Sequence, residues 1–175
     1  MENNMPFGQV YFKGSGIPNG IPVYLPNDGL FTLGGYQSSS DAGGSAYFGN
    51  LMSSNPSDPD GAMYVGIPSG YVPRGIVLYD AGVAQNDPAK NNYMLQGAPL
   101  TVVFRGAIWY YSWNVSATGA IVPVFGSVLI VNNTTGEIQF VPSATSAPGG
   151  WTKLTNCKVK AVNDDDSAAM CYISL

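Results

Sequence analysis

The side chains that could carry out chemistry are few, and the most informative one is missing: the chain has no histidine. That removes the commonest general base, the usual catalytic triad and the usual zinc sites. A Ser–Lys or tyrosine-based pair would need a motif to frame it, and none is present. The only glutamates are Glu2 and Glu137. A glycosidase needs two facing carboxylates. The aspartate candidates for them, Asp58, Asp60, Asp80 and Asp87, lie in turn-like sequence, where backbone hydrogen bonding accounts for them. Asp164-Asp165-Asp166 lacks the alternating ligands of a calcium loop and reads as a solvated turn. Gly14-Ser15-Gly16 followed by Gly20 mimics a phosphate loop only superficially, because Pro18 interrupts it and no Gly-Lys-Ser/Thr follows. These residues predict no enzyme, no cofactor and no metal site.

Two further groups have a chemical and a structural reading. Cys157 and Cys171 fall on the same side of a terminal hairpin. In a reducing cytoplasm they stay thiols and pack as small hydrophobes, while outside the cell a cross-strand disulfide is the alternative. Trp109, Tyr111 and Trp113 share one face of a strand, with Ile108 and Tyr110 on the other. They form either a sugar-stacking platform or ordinary sheet packing.

These residues must be positioned by strands. Tyr71–Trp113 holds the longest dense apolar material and reads strand, long polar loop, strand, tight turn, strand. Its strand segments are Arg74–Asp80, Leu100–Arg105 and Ala107–Trp113. Gly106 marks either a tight turn or a bulge within one long strand. Ser127–Val131 and Gly136–Val141 flank Asn132-Asn133-Thr134-Thr135 as a hairpin. Thr155–Val162 and Ala168–Leu175 form the terminal hairpin. There Cys157, Val159, Ala161, Ala169, Cys171, Ile173 and Leu175 face inward, and Lys158 and Lys160 face outward. A weak helical period occurs at Asp87–Leu95. The fold class expected is all-β: a compact antiparallel β-barrel or β-sandwich preceded by an irregular Gly/Pro-rich N-terminal arm.

That division places an extended arm with short strands at residues 1–60 and the β-barrel or sandwich domain at residues 61–175. Gly8–Lys13, Ile21–Leu25, Leu30–Leu33 and Ser45–Phe48 are the short extended pieces of the arm. Gly34-Gly35 and Ser38–Gly44 read as flexible loop. Aromatic residues punctuate the region. Phe7, Tyr11, Phe12, Tyr36, Tyr47 and Phe48 are candidate anchors into a partner, as buried interface aromatics commonly are.

Composition narrows the partner. Charged residues make up 10% of the chain, against roughly 25% in typical soluble domains. Either much of the surface is covered by other protein, or Ser, Thr, Asn and Gly supply the polarity. The seven basic residues form no stripe, and Lys153, Lys158 and Lys160 are their one local concentration. Neither nucleic acid nor an anionic membrane is expected as a partner. No signal peptide is visible in residues 1–20, so synthesis in a cytoplasm is expected.

Four segments carry a resemblance: Ser45–Gly49 (SAYFG), Tyr71–Ile76 (YVPRGI), Asn92–Gly97 (NYMLQG) leading into Leu100–Val103, and Val159–Leu175 ending in CYISL. Together they resemble the capsid decoration, or structural cement, proteins of tailed bacteriophages. The resemblance implies a virion protein on the outer capsid surface that bridges neighbouring major capsid subunits. It would stabilise the shell against the internal pressure of packaged DNA. It also implies a homo-oligomer, dimer or trimer, around a capsid symmetry axis. The alternative is a carbohydrate-binding β module of a phage fibre or adhesin, suggested by the Trp109–Trp113 cluster.

Overall fold

The computed structural model of the protein describes residues 19–26, 28–80, 96–111, 119–163 and 168–175. The expected strand at Gly8–Lys13 and the helical period at Asp87–Leu95 lie outside these residues. The described chain is all-β. Its strands are β1 (Ile21–Val23), β2 (Phe31–Tyr36), β3 (Leu51–Ser54), β4 (Tyr64–Val65), β5 (Val72–Val77), β6 (Pro99–Tyr110), β7 (Val128–Asn132), β8 (Ile138–Val141), β9 (Trp151–Val162) and β10 (Ala169–Ser174). All ten belong to one antiparallel sheet, curled into a half-barrel.

β6 is the spine. Val102 and Val103 pair with β5 on one edge and with β2 on the other. Further along, Ile108 pairs with Cys171 of β10 on one edge and with Pro22 of β1 on the other. The sheet therefore has two halves that share β6. One is β4–β3–β5–β6–β2 and the other is β8–β7–β9–β10–β6–β1. Pro22 is tolerated because β1 is an edge strand, where a missing N–H breaks no second ladder.

No turn interrupts β6 at Gly106. The strand is continuous, and the irregularity is a bulge: Phe31 pairs with Arg105 but Thr32 pairs with Val103, leaving Phe104 over. One extra residue shifts the inward parity. As a result Val103 before the bulge and Ile108 and Tyr110 after it join the same core. Gly106 has φ 134°, and a Cβ there would lie 2.8 Å from the side chain of Leu30 and 3.2 Å from the carbonyl of Gly29. The β1–β2 connection crosses too closely for any other residue.

The main core lies between the two halves. Leu51, Ile76 and Val103 come from the first, and Leu129, Phe140, Cys157, Val159, Cys171 and Ile173 from the second. The opposite face of the first half is covered as well: Met52, Val77 and Val102 pack with Ala46, Phe48, Met63, Val65 and Leu100. The ends of the sheet meet at the β7–β8 turn. The Leu51 amide donates to the Gly136 carbonyl at 2.8 Å, and the Ile67 amide donates to Asn133 at 2.8 Å. Asn50 Nδ2 reaches the Thr135 carbonyl at 2.8 Å. The turn itself is an Asx-type turn, with Asn132 Oδ1 accepting from the amides of Thr134 and Thr135.

Several short segments differ from expectation. Gly34 and Gly35 lie inside β2, held by the ladder to Thr101 and Leu100. Ser45–Phe48 is not a strand; the chain turns there and β3 starts at Leu51. Ser38–Gly44 is an ordered loop built on two buried polar side chains. Gln37 donates to Asp41 at 3.0 Å and accepts from the Ala46 amide at 3.0 Å. Asp41 accepts from the amides of Gly43 (2.8 Å) and Val65 (2.7 Å). In the terminal hairpin Cys157, Val159, Ala169, Cys171 and Ile173 face inward as expected. Ala161 is half-buried instead, because the irregularity between Met170 and Cys171 shifts the register and sets it opposite outward Met170; Leu175, past the last strand residue Ser174, is exposed. The division expected at residue 60 falls between β3 and β4, which pair with each other.

Candidate functional site

The described residues assemble no catalytic constellation. Asp58 and Asp60 lie in an exposed loop, where the Asp58 carbonyl closes a turn onto Gly61. Glu137 accepts a hydrogen bond from Gln139. Asp41, which sequence reasoning passed over, is committed to backbone amides. Among the described residues no group of three His, Cys, Asp or Glu side chains is placed to hold a metal. Asp87, Asp164–Asp166 and Gly14-Ser15-Gly16 lie outside those residues.

Cys157 and Cys171 are buried free thiols. Burial pushes the Cys157 thiol up to about 11, and it pushes Cys171 and the neighbouring Tyr110 well above their usual values. Neither thiol is therefore expected to react with a thiol reagent at pH 8 until the protein unfolds, when both should titrate. Because these groups stay protonated when folded, the unfolded state releases its thiol protons first as pH rises. Stability is expected to be unaffected by them below about pH 8 and to fall between about pH 9 and 11. Urea unfolding at stepped pH would check this, and a Cys157→Ala/Cys171→Ala variant should flatten part of the decline.

The aromatic residues divide by environment. Tyr36 and Tyr47 are 49% and 41% exposed. Phe48 is only 4% exposed and packs edge-on against Tyr79 at 4.9 Å, so its side chain serves the core. Phe7, Tyr11 and Phe12 lie outside the described residues. Of the proposed sugar platform, Trp109 is half-buried and tilted against Tyr111 at 6.1 Å, while Trp113 lies outside the described residues.

Two exposed groups lie outside the six candidate anchors. Tyr24, 80% exposed, sits in the β1–β2 connection, and Phe31, 47% exposed, opens β2. This corner is held by a short relay. The guanidinium of Arg105 lies 5.5 Å from the Phe31 ring centre, Arg105 Nε donates to Tyr172 Oη at 3.4 Å, and Tyr172 Oη donates to Asp28 at 3.2 Å. The second group is the turn Val122–Phe125. The Gly126 amide donates to Val159 at 3.0 Å, Ser127 donates to Val124 at 2.9 Å, and the Val124 amide donates to Ser127 Oγ at 3.1 Å. Those bonds fix the turn while Val122, Val124 and Phe125 stay in solvent. The sequence signal was present in VPVFG: three large apolar residues interrupted by Pro and closed by Gly do not suit a buried strand.

A surface of this kind, with exposed aromatic residues on firmly bonded strand ends, suits adhesion to protein. Residues 2–175 match the family model described as structural cement protein (E217 gp24/Pam3 gp6). The chain belongs to this phage cement family. It is thus a structural protein of the phage virion, located at the capsid, which it stabilises. No curated protein matches the chain. Within this cement protein, the exposed β1–β2 corner, Tyr36, Tyr47 and the Val122–Phe125 turn are among the apolar surfaces that the described residues present to a partner.

Proposed function

We propose that this cement protein binds the outer surface of the assembled capsid and bridges neighbouring major capsid subunits by passive adhesion. The family match over residues 2–175 supports this reading most directly. The exposed aromatic residues add physical support, because Tyr side chains gain large contact area at little entropic cost. In this reading the first 60 residues supply the capsid contacts through Tyr36 and Tyr47, with Phe7, Tyr11 and Phe12 ahead of them. Copies made in the host cytoplasm assemble as dimers or trimers around a symmetry axis of the shell.

Co-sedimentation with expanded shells and with unassembled capsid subunits tests the proposal. Saturable binding to shells at a fixed ratio, with little binding to free subunits, is expected, since a bridge needs two neighbours. Equal affinity for both would overturn bridging. Tyr36→Ser and Tyr47→Ser should each weaken shell binding by roughly tenfold, the scale of a moderate interface anchor. The melting temperature of Tyr36→Ser should stay near that of the parent, because about half of that side chain is already exposed.

A further inference from the structure

The two faces of the second sheet half are unlike. Ile108, Cys171 and Val159 are fully buried on the inner face. Their neighbours point the other way, and strand register aligns them. Trp109 lies opposite Met170, which lies opposite Ala161. Ala107 lies opposite Tyr172, which lies opposite Lys158. Trp109, Met170, Tyr172 and Ala161 are all half-exposed, and no described strand covers them.

Charge gathers on the same face. Arg105, Lys158 and Lys160 are exposed there. The other described basic residues are Arg74, which is half-buried, and Lys153, whose ammonium is capped by the carbonyls of Ser143 and Thr145. Asp28, a carboxylate at the edge of this face, already accepts from Tyr172. In a chain of net charge −4, the accessible positive charge of the described residues is thus concentrated around one aromatic strip.

We infer that the outer face of β6, β10 and β9 is a docking surface for an acidic patch with an apolar centre on the assembled capsid subunit. The inference rests on the capsid-binding reading above and names the surface and the chemistry of its partner. Trp109, Met170 and Tyr172 supply the apolar contact. Arg105, Lys158 and Lys160 rim it and set register and on-rate. Three cations on a net-acidic chain suit a protein carboxylate patch better than a phosphate backbone, which takes a longer basic footprint.

The test is shell binding by a Lys158→Glu/Lys160→Glu variant across a salt series, beside Lys158→Arg/Lys160→Arg. Both lysines are exposed, so melting temperature should stay with the parent. Parent binding should weaken as NaCl rises from 50 to 300 mM. The charge-reversed variant should bind at least about tenfold more weakly at low salt, a gap that narrows as salt screens it. The arginine variant should bind like the parent. A charge-reversed variant that decorates shells as the parent does would overturn the inference while leaving capsid binding intact. Parent binding that is indifferent to salt would overturn it as well. A parent that binds no shell would overturn both readings, and equal affinity for duplex DNA would reassign the face to nucleic acid.

Discussion

A chain lacking residues 1–50 is expected not to fold. The sequence invites the opposite expectation, since this region reads as an arm appended to a β body. In the structure, the deletion strips one edge of β6 almost completely. β2 is lost from Pro99–Arg105 and β1 from Ala107–Trp109. It also removes Ala46 and Phe48 from the second core, uncovering Met52, Val77 and Val102. Gly49 goes as well, and its carbonyl accepts the buried Tyr110 hydroxyl at 2.6 Å. Native domains are stable by only about 5–15 kcal/mol. Uncovering several core side chains at about 1.5–3 kcal/mol each exceeds that margin. The truncated chain should show no cooperative thermal transition and should bind a hydrophobic dye. A sharp transition would mean that β3–β10 is self-sufficient and that the arm boundary expected from sequence is real. The practical consequence is that the contact surface has to be tested by point substitution, since such a truncation would lose binding through unfolding.

The second large effect is expected at Asp41. Asp41→Ala should lower the unfolding free energy by roughly 3 kcal/mol, read by urea denaturation. The carboxylate accepts from the amides of Gly43 and Val65 and from the Gln37 side chain. Alanine leaves these buried donors without an acceptor, and each such loss costs about 1–3 kcal/mol before relaxation. Asp41→Asn should also destabilise. Both carboxylate oxygens accept, so an amide must turn one donor onto another donor. Asp58→Ala in the exposed loop is the control and should fall within about 0.5 kcal/mol of the parent. A small effect at Asp41 would mean that water readily replaces the carboxylate and that Ser38–Gly44 is as loose as its sequence looks.

These two cases show where the sequence was legible. The β7–β8 hairpin and the alternation of β10 were readable, because turn chemistry and period 2 act over a few residues. The centrality of the segment around β6 was also readable, from its density of β-branched and aromatic residues. What stayed hidden depends on distant partners. Gly34 and Gly35 look like a loop until β6 supplies a ladder for them. Gln37 and Asp41 look like loop polarity until Val65, 24 residues away, supplies a donor to the carboxylate. Phe48 cannot be told from Tyr47 by composition, yet one packs on Tyr79 and the other meets solvent. The outward lysines of β9 were readable, but the outer face of β6, β10 and β9 as one surface was not, for the same reason. Arg105, Lys158 and Lys160 become neighbours only through the register of β10 with both strands.

The sharing of β6 by two sheet halves also governs how the chain must be made. The first half needs nothing beyond Tyr110, so its strands can pair early in synthesis. The apolar side chains it turns inward, Leu51, Ile76 and Val103, are covered only when β7–β10 arrive, and β10 ends at Ser174. At about 5–20 residues per second, the ribosome takes roughly 3–13 seconds to supply that remainder. For that time a nascent chain carries an uncovered hydrophobic face and an unpaired β6 edge, the combination that draws chaperones and favours aggregation. Closure is then a long-range event, joining Asp28 to Tyr172 and Leu51 to Gly136. Contacts so distant in sequence place folding on the millisecond-to-second scale of non-local β proteins. The supply of shell-competent copies during infection is therefore paced by completion of the last strand.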